Sequence, residues 1–154
     1  METGITDTNQ LVCLESNQGL FVTLFIARIN PITGEISYVN AGHNPPLLFS
    51  QKKDHVSSLN RTGFPLGLVP DAKYKQRATR MEPNDFIIFY TDGVTEAFDE
   101  DGNQFETKGL RKIIYDHSND SAEEILEAII TAVNKHIGST PLSDDMAIVV
   151  VKRS

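Results

Sequence analysis

A single cysteine, Cys13, excludes an intrachain disulfide in this chain of 154 residues. That fits a reducing cytoplasm, which is the expected location. Cys13 sits among apolar residues with no partner for catalysis, and reads as structural. No apolar run approaches the roughly 18 residues that a membrane helix needs, so no membrane association is expected. The N-terminus, Met1-Glu2-Thr3-Gly4, lacks the basic-then-apolar pattern of a secretory signal. Positive charge is also short. The formal net charge is −7, which argues against a nucleic-acid partner. Missing too are a phosphate-binding glycine loop, a dinucleotide fingerprint, zinc-ligand spacing and a Gly-x-Ser-x-Gly elbow. Neither repeats nor low-complexity segments occur, and the length suits one domain with a core of ordinary size.

What is present is a pair of acidic motifs, each beside an apolar strand. Asp85-Phe86-Ile87-Ile88-Phe89 reads as a buried strand and runs into Tyr90-Thr91-Asp92-Gly93. Asp144-Asp145 directly precedes a second expected buried strand, Met146 to Val151. If those strands are neighbours, Asp92, Asp144 and Asp145 converge. Strand-end carboxylates held rigidly suit a hard cation such as Mg²⁺ or Mn²⁺, which takes oxygen ligands. The alternative is that Asp92 opens a turn and the Asp144-Asp145 pair caps a loop. Residues 92–101 carry five acids and no Lys or Arg, which reads either as a solvated acidic turn or as a field that attracts a divalent cation.

Elsewhere, Leu20 to Ile29 reads as a long strand, rich in β-branched and aromatic residues. A Pro- and Gly-bearing turn at 30–34 leads to an alternating strand at 35–40. The turn Ala41-Gly42-His43-Asn44-Pro45-Pro46 then leads into Leu47-Leu48-Phe49, so an antiparallel meander is expected. Residues 51–61 read as an exposed hairpin or loop, 63–68 as an irregular apolar segment, and Tyr74 to Met81 as an edge strand. Residues 5–16 carry a weak helical pattern. Lys108 to Tyr115 suggests a short helix. Ser121-Ala122-Glu123-Glu124 is a capping-box signature, followed by Ile125, Leu126, Ile129, Ile130, Val133 and Ile137 at helical spacing and a stop at Gly138. Strands, then two helices, then a returning strand imply an α+β fold with helices on mostly antiparallel sheet. His43 is the one histidine on an apolar-flanked turn. It reads either as a structural hydrogen-bonding group or as one that helps hold a substrate phosphate.

The segments FVTLFIARINPITGEISYVNAGHNPPLL, GFPLGL, MEPNDFIIFYTDGVTEAFDEDGNQF and SDDMAIVVV, in this order, resemble the SpoIIE-like serine phosphatases. These are the bacterial branch of the metal-dependent PPM (type 2C) protein phosphatases. The resemblance covers the chain from about residue 20 onward. It implies a PPM-type α-β-β-α sandwich and hydrolysis of phosphoserine or phosphothreonine by a metal-activated water, with no catalytic side chain forming a phosphoenzyme. It implies two Mn²⁺ or Mg²⁺ ions in the intact domain, with Asp92, Asp144 and the adjoining Asp145 as metal-binding positions. His43 and Asn44 would shape a substrate cleft. The implied partners are phosphorylated anti-sigma factor antagonists in partner-switching pathways.

Two departures stand out. The family's early Gly-Asp-(Val/Ile)-x-Gly-(His/Lys)-Gly turn, which supplies the metal-bridging aspartate, is absent, and Ala147 stands where Thr or Ser is common. The expectation is therefore a single, N-terminally truncated domain over 1–154, lacking the first strands and part of the first helix, and weakly active or inactive as it stands. The rival reading is a non-catalytic remnant that binds a partner, or pairs with a second copy through exposed sheet edges.

Overall fold

The computed structural model describes residues 1–15 and 19–154. Residue 16, the last of the expected first helix, lies outside the described residues. Contacts divide the chain into two compact units: Met1–Pro45 with Leu59–Met81, and Pro46–Ser58 with Glu82–Ser154.

The first unit opens with helix α1 (Glu2–Glu15). Its sequence pattern is weak because only Ile5 and Asn9, one turn apart, are buried, whereas Leu11 and Leu14 are exposed. Asn9 supplies what apolar periodicity does not. Its amide donates to the carbonyls of Val69 and Pro70 at 2.9 and 3.1 Å and accepts from the Gly67 N–H at 2.9 Å. A fully buried amide with its partners satisfied fixes the helix directionally. Strands β1 (Leu24–Ile29) and β2 (Glu35–Ala41) form an antiparallel hairpin. The expected strand from Leu20 is shorter at its start. Leu24 pairs with Ala41, the last residue of β2, so residues 20–23 find no continuous partner there. Val22 makes only an isolated bridge to Leu66.

The meander does not continue. Pro45 and Pro46 have no N–H to donate, and strand β3 (Leu47–Ser50) belongs to a different sheet. The third strand of the first sheet is β5 (Arg77–Arg80), giving the order β1-β2-β5 with β5 at an edge as expected. It is shorter than 74–81, because β2 offers pairing only from Glu35 to Tyr38. Tyr74 and Ala72 instead pack with Ile5, Val39, Ala41 and Leu66 as this unit's core.

The second unit carries a four-stranded antiparallel sheet in the order β4-β3-β6-β7. Here β4 is His55–Ser58, β6 is Phe86–Tyr90 and β7 is Ile148–Lys152. Where an exposed hairpin or loop is expected at 51–61, β4 pairs back on β3 around a 3₁₀ turn, Gln51–Lys53, so the hairpin begins at Leu47, and Val56 and Leu59 are buried rather than exposed. A one-turn helix α2 (Asp92–Thr95) follows β6, and α3 (Glu106–Asp116) and α4 (Ala122–Ile137) follow in turn. Helix α4 starts as its sequence predicts. The Glu124 N–H donates to Ser121 Oγ, and the Ser121 N–H donates to the Glu124 carboxylate at 2.8 Å. Ile125, Ile129, Val133 and Ile137 form its buried stripe, while Ile130 is 44% exposed. That stripe and Leu110, Ile113 and Ile114 of α3 join Phe49, Phe86, Ile88 and Tyr90 of the sheet in one core. Strand β7 is not the fully buried strand expected. It is an edge, and Val149 is 54% exposed. Among the described residues, no helix is long and apolar enough to cross a membrane.

Candidate metal and phosphate site

The acidic motifs meet in the second unit. Strands β6 and β7 are hydrogen-bonded antiparallel neighbours, with Tyr90 opposite Ile148. The chain leaves β6 towards Asp92 at the same end of the sheet at which Asp144 and Asp145 enter β7. Tyr90 anchors this end: it is buried, and burial pushes its phenol pKa up, against the lowering pull of Thr107 and Arg111.

Beyond the last ladder pair, contact continues through Thr91. Its N–H donates to the Ala147 carbonyl at 3.1 Å. Its hydroxyl accepts from the Ala147 N–H at 2.9 Å and donates to the Asp145 carbonyl at 3.2 Å. Gly93 completes the approach. A Cβ there would lie 2.5 Å from the Asp145 carbonyl oxygen and 3.3 Å from that of Asp144, so only glycine admits this backbone. Thus the 91–93 and 144–147 segments lie in direct contact on either side of Asp92. Asp92 and the acidic pair are solvent-exposed. One Asp92 oxygen accepts from the Gly93 N–H at 3.2 Å, and one Asp144 oxygen accepts from the Asp145 N–H at 2.7 Å.

Carboxylate oxygens are the donors that a hard cation takes. Yet the described residues contain no group of three or more His, Cys, Asp or Glu side chains placed to hold a metal ion. The two segments are in contact, but the expected convergence of Asp92, Asp144 and Asp145 into one three-acid cluster is not found among the described residues.

The rest of the acidic stretch is occupied in part by structural bonds. Asp99 accepts from the N–H groups of Asp101 and Asn103 at 3.0 and 2.8 Å and closes its own loop. Glu100 accepts from the Ser139 hydroxyl at 2.5 Å and ties that loop to the end of α4. These bonds hold both carboxyls below the usual range, the Asn103 side chain leading for Asp99 and the Ser139 hydroxyl for Glu100.

His43 and Asn44 belong to the first unit, and both are half-buried. Gly42 (φ 79°) directs the turn, and a Cβ on it would meet Pro65 at 2.5 Å. His43 Nδ1 lies 3.0 Å from Thr23 Oγ1. The Asn40 N–H donates to Thr62 Oγ1 at 3.0 Å, and its side chain donates to the Leu59 carbonyl at 3.2 Å, which braces the strand that delivers His43. Two residues important to this geometry, Thr91 and Asn40, escaped the sequence reading. Their only signal is position: one hydroxyl before Asp92, and one amide before the Ala41-Gly42 turn.

The family model of stage II sporulation protein E (SpoIIE) matches residues 1–154. The chain belongs to the SpoIIE family. Phosphoserine phosphatase RsbU of Bacillus subtilis is 33% identical over 158 residues, covering 99% of this chain and 47% of RsbU. The chain therefore spans about half the length of this curated relative. The SiaA-PP2C domain of Pseudomonas aeruginosa superposes with a TM-score of 0.81 at 17% identity, over 99% of this chain and 61% of that one. The phosphatase domain of SpoIIE from Bacillus subtilis, in a crystal presoaked with Mn, gives 0.70 at 17% identity, over 97% and 65%. The antiparallel sheets and flanking helices of this SpoIIE-family chain thus follow the PP2C phosphatase fold.

Proposed function

We propose that this chain is the distal part of a metal-dependent protein serine/threonine phosphatase domain, with Asp92, Asp144 and Asp145 as metal-binding residues for Mn²⁺ or Mg²⁺. The observation that carries this reading is the contact between the segments bearing Asp92 and Asp144-Asp145. A bound ion supplies an activated water and neutralises phosphate charge. The chain's own residues hold the oxygen donors at one end of the second sheet, where the chain leaves β6 and enters β7. The substrate class is a phosphorylated anti-sigma factor antagonist, in keeping with relatives named phosphoserine phosphatases, and the setting is the cytoplasm.

Two ions must sit about 3.5–4 Å apart for this chemistry, and Mg²⁺ keeps its waters unless the geometry is nearly ideal. The 154 residues lack the Gly-Asp-x-x-Gly turn that would bridge them. The chain alone is therefore expected to release phosphate from a phosphoserine protein near background, even in Mn²⁺ at the millimolar scale. A polypeptide with that turn placed ahead of residue 1 is expected to be active, and Asp92→Asn in it inactive. Robust Mn²⁺-dependent turnover by the 154 residues alone, abolished by Asp92→Asn, would refute the incomplete-site reading. Activity of the longer polypeptide that survives Asp92→Asn would refute the assignment of Asp92.

A second reading is favoured by one observation. Strand β1 is an open edge of the first sheet, and Leu20, Phe21 and Val22, which lead into it, are each more than half exposed. Such an edge pairs readily with another strand. In this reading the chain is a self-associating module rather than an enzyme. A monomer at all concentrations in sedimentation equilibrium removes it.

A further inference from the structure

Thr91 occupies the N-cap position of α2, with φ −88° and ψ 164°. A threonine there ordinarily turns its oxygen to the free N–H groups of the first helical turn. This one makes no such bond. Its hydroxyl is turned across to the other acidic segment, where both of its bonds are of determined sense. The Ala147 N–H can only donate, so the oxygen accepts at 2.9 Å. The Asp145 carbonyl can only accept, so the hydroxyl proton points there at 3.2 Å. A β-sheet ladder already joins β6 to β7 as far as Tyr90 and Ile148. The Thr91 side chain carries that ladder past its end, to residues that are no longer strand. Gly93, on the far side of Asp92, leaves room for the same Asp145 carbonyl.

We propose that Thr91 is the positioning residue of this site. Its hydroxyl bolts the 144–147 segment against the start of α2 and so sets the place of the Asp144-Asp145 pair relative to Asp92. The proposal rests on the metal-site reading for its functional consequence, but not for its structural one. Asp92 is on the rigid exit of a buried strand. Asp144 and Asp145 precede an edge strand and are exposed; besides the bolt, their segment is held by the Thr91 N–H on the Ala147 carbonyl and by close approach to Gly93. The helix cap is forgone in exchange for a fixed separation between two acid-bearing turns.

The test uses Thr91→Val, which keeps the branched shape and removes the hydroxyl, and Thr91→Ser, which keeps the hydroxyl. Amide hydrogen exchange is followed by NMR in the metal-free chain, and MnCl₂ is then titrated while the broadening of resonances near Asp92 and near Asp144 is recorded. Loss of a hydrogen bond worth about 1 kcal/mol corresponds to roughly fivefold faster local opening. We expect Thr91→Val to speed exchange of the Ala147 amide about fivefold, with the amides of α3, α4 and β6 unchanged. The Mn²⁺ midpoint should rise by a similar factor at the Asp144 resonances, and Thr91→Ser should restore both. Unchanged Ala147 exchange in Thr91→Val, or failure of serine to restore it, would overturn the proposal. An unchanged Mn²⁺ midpoint in Thr91→Val would likewise overturn the claim that the bolt sets the acids' geometry. If Mn²⁺ broadens neither set of resonances in the wild type, the metal reading fails, while the exchange data still decide the bolt.

Discussion

Replacing Gly93 with alanine sets two effects of opposite sign against each other. Gly93 lies inside α2, and its backbone is not in the left-handed region, so alanine meets no dihedral penalty. Helix propensity alone favours alanine over glycine by about 1 kcal/mol, and by less in a single turn. Against this stands the Asp145 carbonyl. The new Cβ would lie 2.5 Å from its oxygen and 3.0 Å from its carbon. Both are backbone atoms and cannot rotate away, so the two segments must separate by roughly 0.9 Å to reach an ordinary contact. Overpacking of that kind costs about 1–3 kcal/mol. The same movement stretches the 3.2 Å bond from the Thr91 hydroxyl to that carbonyl, worth about 1 kcal/mol more. The clash therefore wins, with a net loss of about 1–3 kcal/mol. For a chain of this size the loss lowers Tm by roughly 3–9 °C. Gly4 is the control. It lies in α1 with open space around its Cβ position, so Gly4→Ala should raise Tm by about 1–3 °C. The assay is thermal unfolding followed by circular dichroism on the two variants side by side. If Gly93→Ala matches or exceeds the wild type while Gly4→Ala behaves as expected, the 145 carbonyl does not pack on α2, and the assembly of the acidic site described here is wrong.

Other predictions concern the scaffold. Ile129→Ala removes three carbons from a fully buried side chain, so it should cost about 2–5 kcal/mol in urea unfolding, whereas Ile130→Ala, at a 44% exposed position, should cost well under half of that; equal losses would refute the observed face of α4. Asp85 is buried and accepts from the N–H groups of Gln51 and Glu82, both at 2.9 Å, so Asp85→Ala should cost about 2–4 kcal/mol by orphaning them, and a loss below about 0.5 kcal/mol would show that water replaces the carboxylate. The Ser121 backbone and side chain hold the Glu124 carboxyl below its ordinary 4.5. A lowered folded-state pKa contributes stability that is present above about 4.5 and is lost as the pH falls through the lower folded value. The stability gap between wild type and Glu124→Gln should thus be open at pH 7 and closed near pH 2; a gap independent of pH would refute the cap's charge dependence.

The parts legible in the sequence are those specified locally. Helix α4 was readable because its capping box and its stripe at Ile125, Ile129, Val133 and Ile137 lie within one stretch of chain. Strand β6 was readable from five consecutive apolar or aromatic residues. The adjacency of the strands that lead to Asp92 and away from Asp144-Asp145 was legible from two apolar runs, and the register bears it out; that the three carboxylates do not form one cluster was not legible. Pairings set at a distance were not legible. Nothing near Leu47 says that β3 takes β4 and β6 as partners instead of β2. No periodicity in α1 announces that Asn9 holds it to a loop some 60 residues away. The acids of 92–101 look alike on paper, yet Asp99 and Glu100 are spent on fastening their own loop, because each finds N–H or hydroxyl donors that only the folded chain provides.

The bolt at Thr91 joins residues 54 positions apart, with all of α3 and α4 made between them. During synthesis, strand β6 and Asp92 emerge first, then two helices, and only afterwards the acidic pair. Closing a connection of that length is slower than forming either helix. The nascent chain therefore passes through an interval in which its core helices exist but the contact between its two acidic segments does not. The juxtaposition of the two acidic segments thus waits until the second sheet has received β7, after both helices of its core.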